Sequence, residues 1–246
     1  MSFDSKDKER PPCPYCGSTQ ISKNGSTHHK KPKFICKDCR RQFIKNPQKK
    51  IISLSEKQLI ERLLLERISL RGITRCLKVS MSWLQKYVNG LFRSISSKLE
   101  VLEPMEDDVE IECDELWSFV KSKENPVYVW LALARKTRQI IGFSLGDRTR
   151  QSAWDFWHSL PTSYQVRGRF YTDLWESYLK VIPSHSHYPS DKKSGATTKI
   201  ERLNNTLRHR CSRLVRKNLA FSKNFFNHEG AILYFICHYN EMILST

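Results

Sequence analysis

Two CxxC pairs constrain the front of this 246-residue chain more than any other feature. Cys13 and Cys16 are followed, after 19 residues, by Cys36 and Cys39. Two intervening residues let each pair present both thiolates to one side of a tetrahedron, and the insert is long enough for a hairpin. So short a module has little apolar material to fold on its own, and a bound metal makes up the difference. Gly17 follows the first pair, where a tight turn needs positive φ. Phe34 and Phe43 flank the second pair and can pack beneath it. Two disulfides are the competing use of the same cysteines. The other four, Cys76, Cys113, Cys211 and Cys237, stand in apolar or strand-like contexts with no matching pattern, which favours a reduced compartment. The expectation is therefore a zinc ribbon ligated by Cys13, Cys16, Cys36 and Cys39. Four thiolates close the coordination sphere, so this zinc is structural.

Charge divides the chain. Residues 1–50 hold 13 basic and 4 acidic side chains, a net +9, whereas residues 105–200 hold 13 of each. Residues 51–104 and 201–246 each carry +4, within a total of +17. Basic ends suit a polyanion such as DNA, held largely by counterion release. Lys33, Arg40 and Arg41 crowd the hairpin and second cysteine pair and are candidate phosphate contacts. The balanced middle concentrates Glu106, Asp107, Asp108, Glu110, Glu112, Asp114 and Glu115, a cluster that implies metal ions or a solvated acidic linker. The longest apolar runs, Val127 to Ala134 and Ala231 to Cys237, fall far short of the roughly 20 residues of a membrane span. The polar N-terminus lacks the apolar core of a signal peptide. A cytoplasmic protein without a membrane partner is expected.

From Leu54 to about Arg93 apolar residues recur at helical spacing. Ser53 with Glu56 forms a capping box, a short helix is expected over about Ser69 to Leu77, and Ser80 caps a third helix from Met81. Helix, short helix, turn, helix is the helix-turn-helix plan, although an ordinary three-helix scaffold uses the same spacing. In that plan Ser82, Gln85 and Lys86 on the third helix reach base edges and phosphates. Glu100 to Asp108 reads as a linker.

Three β-rich runs follow, at Val109 to Val120, Val127 to Ala134 and Gln139 to Leu145, and suggest a meander. A helix is expected at about Ser152 to Leu160, then a short strand ending on Asp173. Pro183 to Thr198 reads as a polar loop containing His185 and His187. A basic helix starts near Lys199 and runs through Glu201, Arg202, Arg208, Arg210, Arg213, Arg216 and Lys217, and an apolar helix closes the chain from Phe225. Acids in a first strand, at the end of a later strand and at a helix start can converge on two divalent cations. Alternation puts Glu110, Glu112 and Asp114 on one face of the first strand and Cys113, Glu115 and Trp117 on the other, so only one of Asp114 and Glu115 faces such a site. Each acid has another use. Asp114 can be a solvated edge-strand acid, Asp173 can cap a helix, and Thr198-x-x-Glu201 fits a capping box. Trp117 and Trp175 read as packing residues beside the first two acids.

CDELWSFV at 113–120, YTDLWESY at 171–178 and KIERLNNTLRHRCSRLVRK at 199–217 resemble the signature blocks of insertion-sequence-one family transposases. The four-cysteine front and the three helices after it are similar to that family's DNA-binding half. The resemblance implies a ribonuclease-H-like catalytic domain of the DDE type, with Asp114, Asp173 and Glu201 as the triad holding two Mg²⁺ or Mn²⁺ ions. It also implies double-stranded DNA as partner, both the element's terminal inverted repeats and the target, and a homodimer or larger assembly on that DNA. Arg202, Arg208 and Arg213 would then face phosphates.

The expected fold class is α/β: a zinc ribbon at 1–50, a helix-turn-helix and linker at 51–104, and a mixed-sheet, ribonuclease-H-like domain at 105–246. The expected function is DNA transposition by metal-dependent strand cleavage and strand transfer. Two other readings stay open: a zinc-dependent DNA-binding regulator without catalysis, and a stand-alone metal-dependent nuclease.

Overall fold

The computed structural model describes residues 10–45, 51–96, 98–214 and 221–245, so Arg216 and Lys217 lie outside the described residues. The chain divides into two compact units, Met1–Leu63 with Leu70–Leu84, and Leu64–Ser69 with Gln85–Thr246.

In the first unit β1 (Ile21–Ser26), β2 (Pro32–Cys36) and β3 (Gln42–Ile44) form an antiparallel sheet in that order. Gly17 adopts φ 78°, as the turn after the first cysteine pair requires. Phe34 lies opposite Phe43 across β2 and β3 with ring centroids 5.6 Å apart. Both are buried together with Cys13, Ile21 and Cys36. Three helices follow: α1 (Leu54–Leu64), α2 (Leu70–Leu77) and α3 (Met81–Ser94), the last passing into the second unit at Gln85. The capping box at α1 is reciprocal. Ser53 N–H donates to Glu56 Oε2 at 2.9 Å, and Glu56 N–H donates to Ser53 Oγ at 3.2 Å. Trp83 N–H donates to Ser80 Oγ at 3.3 Å at the start of α3.

The second unit is built on β4 (Val109–Phe119), β5 (Pro126–Ala134), β6 (Ile140–Gly146), β7 (Gly168–Thr172) and β8 (His187–Pro189). Their order is β6-β5-β4-β7-β8, antiparallel through β6, β5 and β4 and parallel from β4 to β7 and β8. Helices cover both faces, so β5 buries both of its own. Trp130, Ala132 and Ala134 pack with α4 (Arg150–Ser159), α5 (Thr162–Arg167) and α6 (Glu176–Leu179). Val129, Leu131 and Leu133 pack with α7 (Thr198–Arg210) and α8 (Phe225–Leu244). That explains why β5 reads as an unbroken apolar run rather than an alternating one. Each large side chain buried there contributes about 1.5–3 kcal/mol.

Three elements differ from the sequence expectation. The span read as a polar loop contains β8, whose residues pair in parallel with β7, and His187 is buried. Helix α5 lies in a stretch with no helical expectation. Helix α7 stops at Arg210, with Cys211 extended at φ −81° and ψ 110°, so Arg213 is not on it. Among the described residues no helix is long and apolar enough to cross a membrane.

Candidate active site and metal-binding cysteines

Strand β4 carries four acids, Glu110, Glu112, Asp114 and Glu115, and the last three are met differently. Glu112 is 2% exposed. Its Oε1 accepts from Arg135 Nε at 2.7 Å, and its Oε2 accepts from the backbone N–H of Ile200 at 2.8 Å. The second contact lies in the first turn of α7, where free N–H groups and the positive end of the helix dipole favour a carboxylate. Glu115 points to the opposite face, where it pairs with Arg148 and accepts from Tyr178 Oη at 2.9 Å. Asp114 shares Glu112's face, as alternation requires, yet forms no ion pair among the described residues. Its Oδ2 accepts from Asn204 Nδ2 on α7 at 2.7 Å. Burial pushes the Asp114 carboxyl up to about 7. The charges of Glu115 and Asp173 add to the rise, and hydrogen bonds from the Glu115 backbone and Asn204 oppose it.

Asp173 comes directly after β7, whose register with its parallel neighbour β4 pairs Glu112 with Tyr171. By that register Asp114, in the middle of β4, lies level with Asp173, just past the carboxyl end of β7. Asp173 Oδ1 accepts from Trp175 N–H at 3.0 Å, which folds the chain into a tight turn rather than capping α6, whose cap is Trp175. The turn is tied down from the other face: the Arg148 guanidinium lies 3.7 Å over the Trp175 ring. Trp175 is thus a packing residue, and Glu115, through Arg148, braces the turn that carries Asp173. Beneath it His187 Nε2 and Thr172 Oγ1 are 2.8 Å apart, and burial lowers the His187 pKa.

Glu201 occupies the exposed first turn of α7. The capping-box alternative does not form. Thr198 Oγ1 donates to Gly195 O at 2.7 Å, and Glu201 Oε1 accepts from Thr197 Oγ1 at 3.2 Å. Glu201 precedes Asn204 by three residues, so the two are neighbours on the surface of α7. A cleft of about 460 Å³ beside this helix start is lined by Glu110, Glu112, Arg135, Lys199 and Arg202, among others. The residues fit divalent cations: the carboxylates of Asp114 and Asp173 repel each other across neighbouring strands, and the buried Oδ1 of Asn204, which holds Asp114, has no hydrogen-bond partner among the described residues.

The four cysteines are drawn together. Among the described residues they are the one group of three or more potential ligands whose donor atoms all lie within 4.8 Å of one another, and the three acids are spread more widely. Cys13 and Cys39 sulfurs are 3.6 Å apart, and those of Cys16 and Cys36 are 3.7 Å apart. A sulfur tetrahedron with metal–sulfur bonds of about 2.3 Å has edges of about 3.8 Å. All four are free thiols, which leaves the disulfide alternative without support. The Cys39 backbone N–H, with that of Asp38, lowers the pKa of the Cys36 thiol, whereas burial and the neighbouring thiols raise those of Cys16 and Cys39.

The model of the IS1 transposase family matches residues 109–241, a span that includes Asp114, Asp173 and Glu201. The chain belongs to the IS1 transposase family. The insertion element iso-IS1n protein InsB of Shigella dysenteriae is 36% identical over 125 residues, covering 51% of this chain and 92% of that relative. The insertion element IS1 protein InsB of Shigella flexneri is 32% identical with the same coverage. For the insertion element IS1 2 protein InsB of Escherichia coli K12 the identity is 31%, over 51% of this chain and 72% of the relative. Family membership carries a transposase role and implies a ribonuclease-H-like fold, in keeping with the mixed sheet.

The candidate DNA contacts are less uniform. Arg40 and Arg41 are exposed, with Arg41 5.2 Å over the Tyr15 ring, while Lys33 is half-buried on β2. Ser82, Gln85 and Lys86 are exposed on α3, and Arg202 is exposed on α7. Arg208 is half-buried, and its Nη2 donates to Trp117 O at 3.4 Å. Arg213 is half-buried beyond α7, where burial lowers its pKa. Sequence reasoning missed Glu112 and Arg135 as the pair that docks α7. Alternation had put Glu112 on Asp114's face, but its partner lies 23 residues away.

Proposed function

We propose that this IS1-family chain is a DDE transposase whose strand cleavage and strand transfer depend on Asp114, Asp173 and Glu201. The observation that carries the reading is the juxtaposition of Asp114 in β4 with Asp173 just past the adjacent parallel strand β7, with Asp114 left without a cationic partner among the described residues. Two Mg²⁺ or Mn²⁺ ions bound there would lower the pKa of an attacking water or hydroxyl and neutralise the leaving oxygen. The protein's share is positioning and charge. Asp114 and Asp173 supply the negative charge, Glu201 adds a third carboxylate from α7, and Glu112 with Arg135 fixes that helix against β4. The cysteine cluster serves as a structural zinc site. The ribbon, together with α1 to α3 acting as a helix-turn-helix, binds the terminal inverted repeats of the element. Lys33, Arg40, Arg41, Ser82, Gln85 and Lys86 contribute contacts there, and Arg202, Arg208 and Arg213 face DNA near the cut. The domain division follows at 1–50, 51–104 and 105–246. Holding two ends together calls for a dimer or larger assembly on DNA, in the cytoplasm of a prokaryotic cell.

The test uses a supercoiled plasmid carrying the gene with its native flanks, incubated with purified protein in Mg²⁺, in Ca²⁺, and with Asp114→Asn. Breaks at fixed flanking positions and joined products are expected in Mg²⁺ alone and not with the variant. Hydrolysed products without joined ones would indicate a nuclease. Flank binding without breaks, identical in the variant, would leave a DNA-binding protein.

A further inference from the structure

Helix α7 docks on the sheet through Ile200, Leu203 and Leu207, all buried. Asn204 interrupts this apolar face and is itself only 5% exposed. Its Nδ2 donates to Asp114 Oδ2 at 2.7 Å, and its Oδ1 meets no partner. The orientation is set by chemistry, because turning the amide over would bring two oxygens together. A buried carbonyl oxygen left unsatisfied is costly, and an apolar side chain would avoid that cost. Such a group persists where a ligand completes it.

We infer that Asn204 belongs to the cation site: Nδ2 fixes one oxygen of Asp114, and Oδ1 joins the other as a neutral oxygen donor to the divalent ion. This rests on the reading of Asp114 and Asp173 as the cation-holding pair. Hard divalent cations accept amide oxygens alongside carboxylates. A ligand whose own orientation is held by a hydrogen bond binds more tightly than one left free. The residue extends the site from strand acids to the docking face of α7, three residues beyond Glu201.

The experiment is Mn²⁺ titration of the full, zinc-loaded chain without DNA, read by isothermal calorimetry and by the free-Mn²⁺ paramagnetic signal. Asn204→Leu, close in size and apolar, is expected to weaken Mn²⁺ binding by about tenfold or more, within the range seen when groups around a metal are removed. Asn204→Asp loses the donor and keeps an oxygen, and recovers most of that affinity. It also serves where the leucine variant does not fold. Wild-type affinity in Asn204→Leu, or an Asn204→Asp variant that binds no better than it, would overturn the assignment. Asp114→Asn separates the two levels of the argument. If it abolishes Mn²⁺ binding while Asn204→Leu leaves it intact, Asn204 alone is misassigned. If it binds Mn²⁺ like the wild type, the cation-pair reading fails first.

Discussion

Replacing Glu112 with Gln tests whether α7 is held by a buried ion pair. The substitution preserves size and removes the charge that Arg135 Nε meets at 2.7 Å and that the Ile200 N–H meets at 2.8 Å. Removing one partner of a buried pair typically costs about 3–5 kcal/mol, because the other charge stays desolvated. Arg135 is 15% exposed and retains Glu110 at 2.9 Å, so the lower end applies, about 3 kcal/mol. In a protein of this size each kcal/mol moves the melting temperature by roughly 2–4 °C, so a fall of roughly 6–12 °C is expected. Thermal unfolding of the wild type, Glu112→Gln, Arg135→Met and the double variant gives the coupling directly. The double variant should be less destabilised than the sum of the singles by about 0.5–3 kcal/mol. Hydrogen exchange should show the Ile200 amide losing protection in Glu112→Gln. A melting temperature within about 1 °C of wild type, or strict additivity in the cycle, would refute the idea that this pair docks the helix.

Zinc removal by a strong chelator should strip hydrogen-exchange protection from residues 13–44, because the cysteines occupy the small core with Phe34 and Phe43, and leave the β4–β8 sheet protected. The His228 pKa is lowered to about 4 from the usual 6.5, by burial and then by the charge of Arg213. The unfolded chain therefore takes up a proton first, so stability is unaffected above pH 6.5 and falls by about 1.4 kcal/mol per pH unit as pH drops from 6.5 toward 4. Unfolding by urea across that range should show a shallower loss in His228→Gln. Asn240 on α8 bonds both the N–H and the C=O of Ile140 at 2.9 Å, so Asn240→Leu leaves two buried backbone groups unmet, a cost of about 2–4 kcal/mol measurable by urea unfolding.

Local signals were legible and non-local ones were not. The Ser53–Glu56 box, the Ser80 cap and the Gly17 turn each close within a few residues, so composition and spacing suffice to place them. The β4-β5-β6 meander announces itself because both faces of β5 are apolar. Strand β8 has no such signature. Three residues ending in Pro189 become a strand only because β7 offers an open edge. The overrun of α7 has a different cause. Cys211 and Leu214 are buried and continue the spacing of Leu203 and Leu207, so the periodicity persists after the backbone has left the helix. The Asn240 contact, 100 residues from its partner, has no local trace at all.

The acids of β4 show where pattern ends and site begins. Sequence alternation sorted Asp114 from Glu115 by face, but it treated Glu112 and Asp114 alike. The fold separates them by their partners. Glu112 receives Arg135 and a helix N–H, and Glu115 receives Arg148 and a tyrosine hydroxyl. Asp114, one residue from Glu115 and two from Glu112, receives only neutral hydrogen-bond donors, the Glu115 backbone and the Asn204 amide, and the repulsion of Glu115 and Asp173. A fold selected for stability alone has little reason to match two of three neighbouring carboxylates with arginines and withhold a cation from the third. The proposed cations would supply the withheld charge where Asp114 in β4 lies level with Asp173 just past β7.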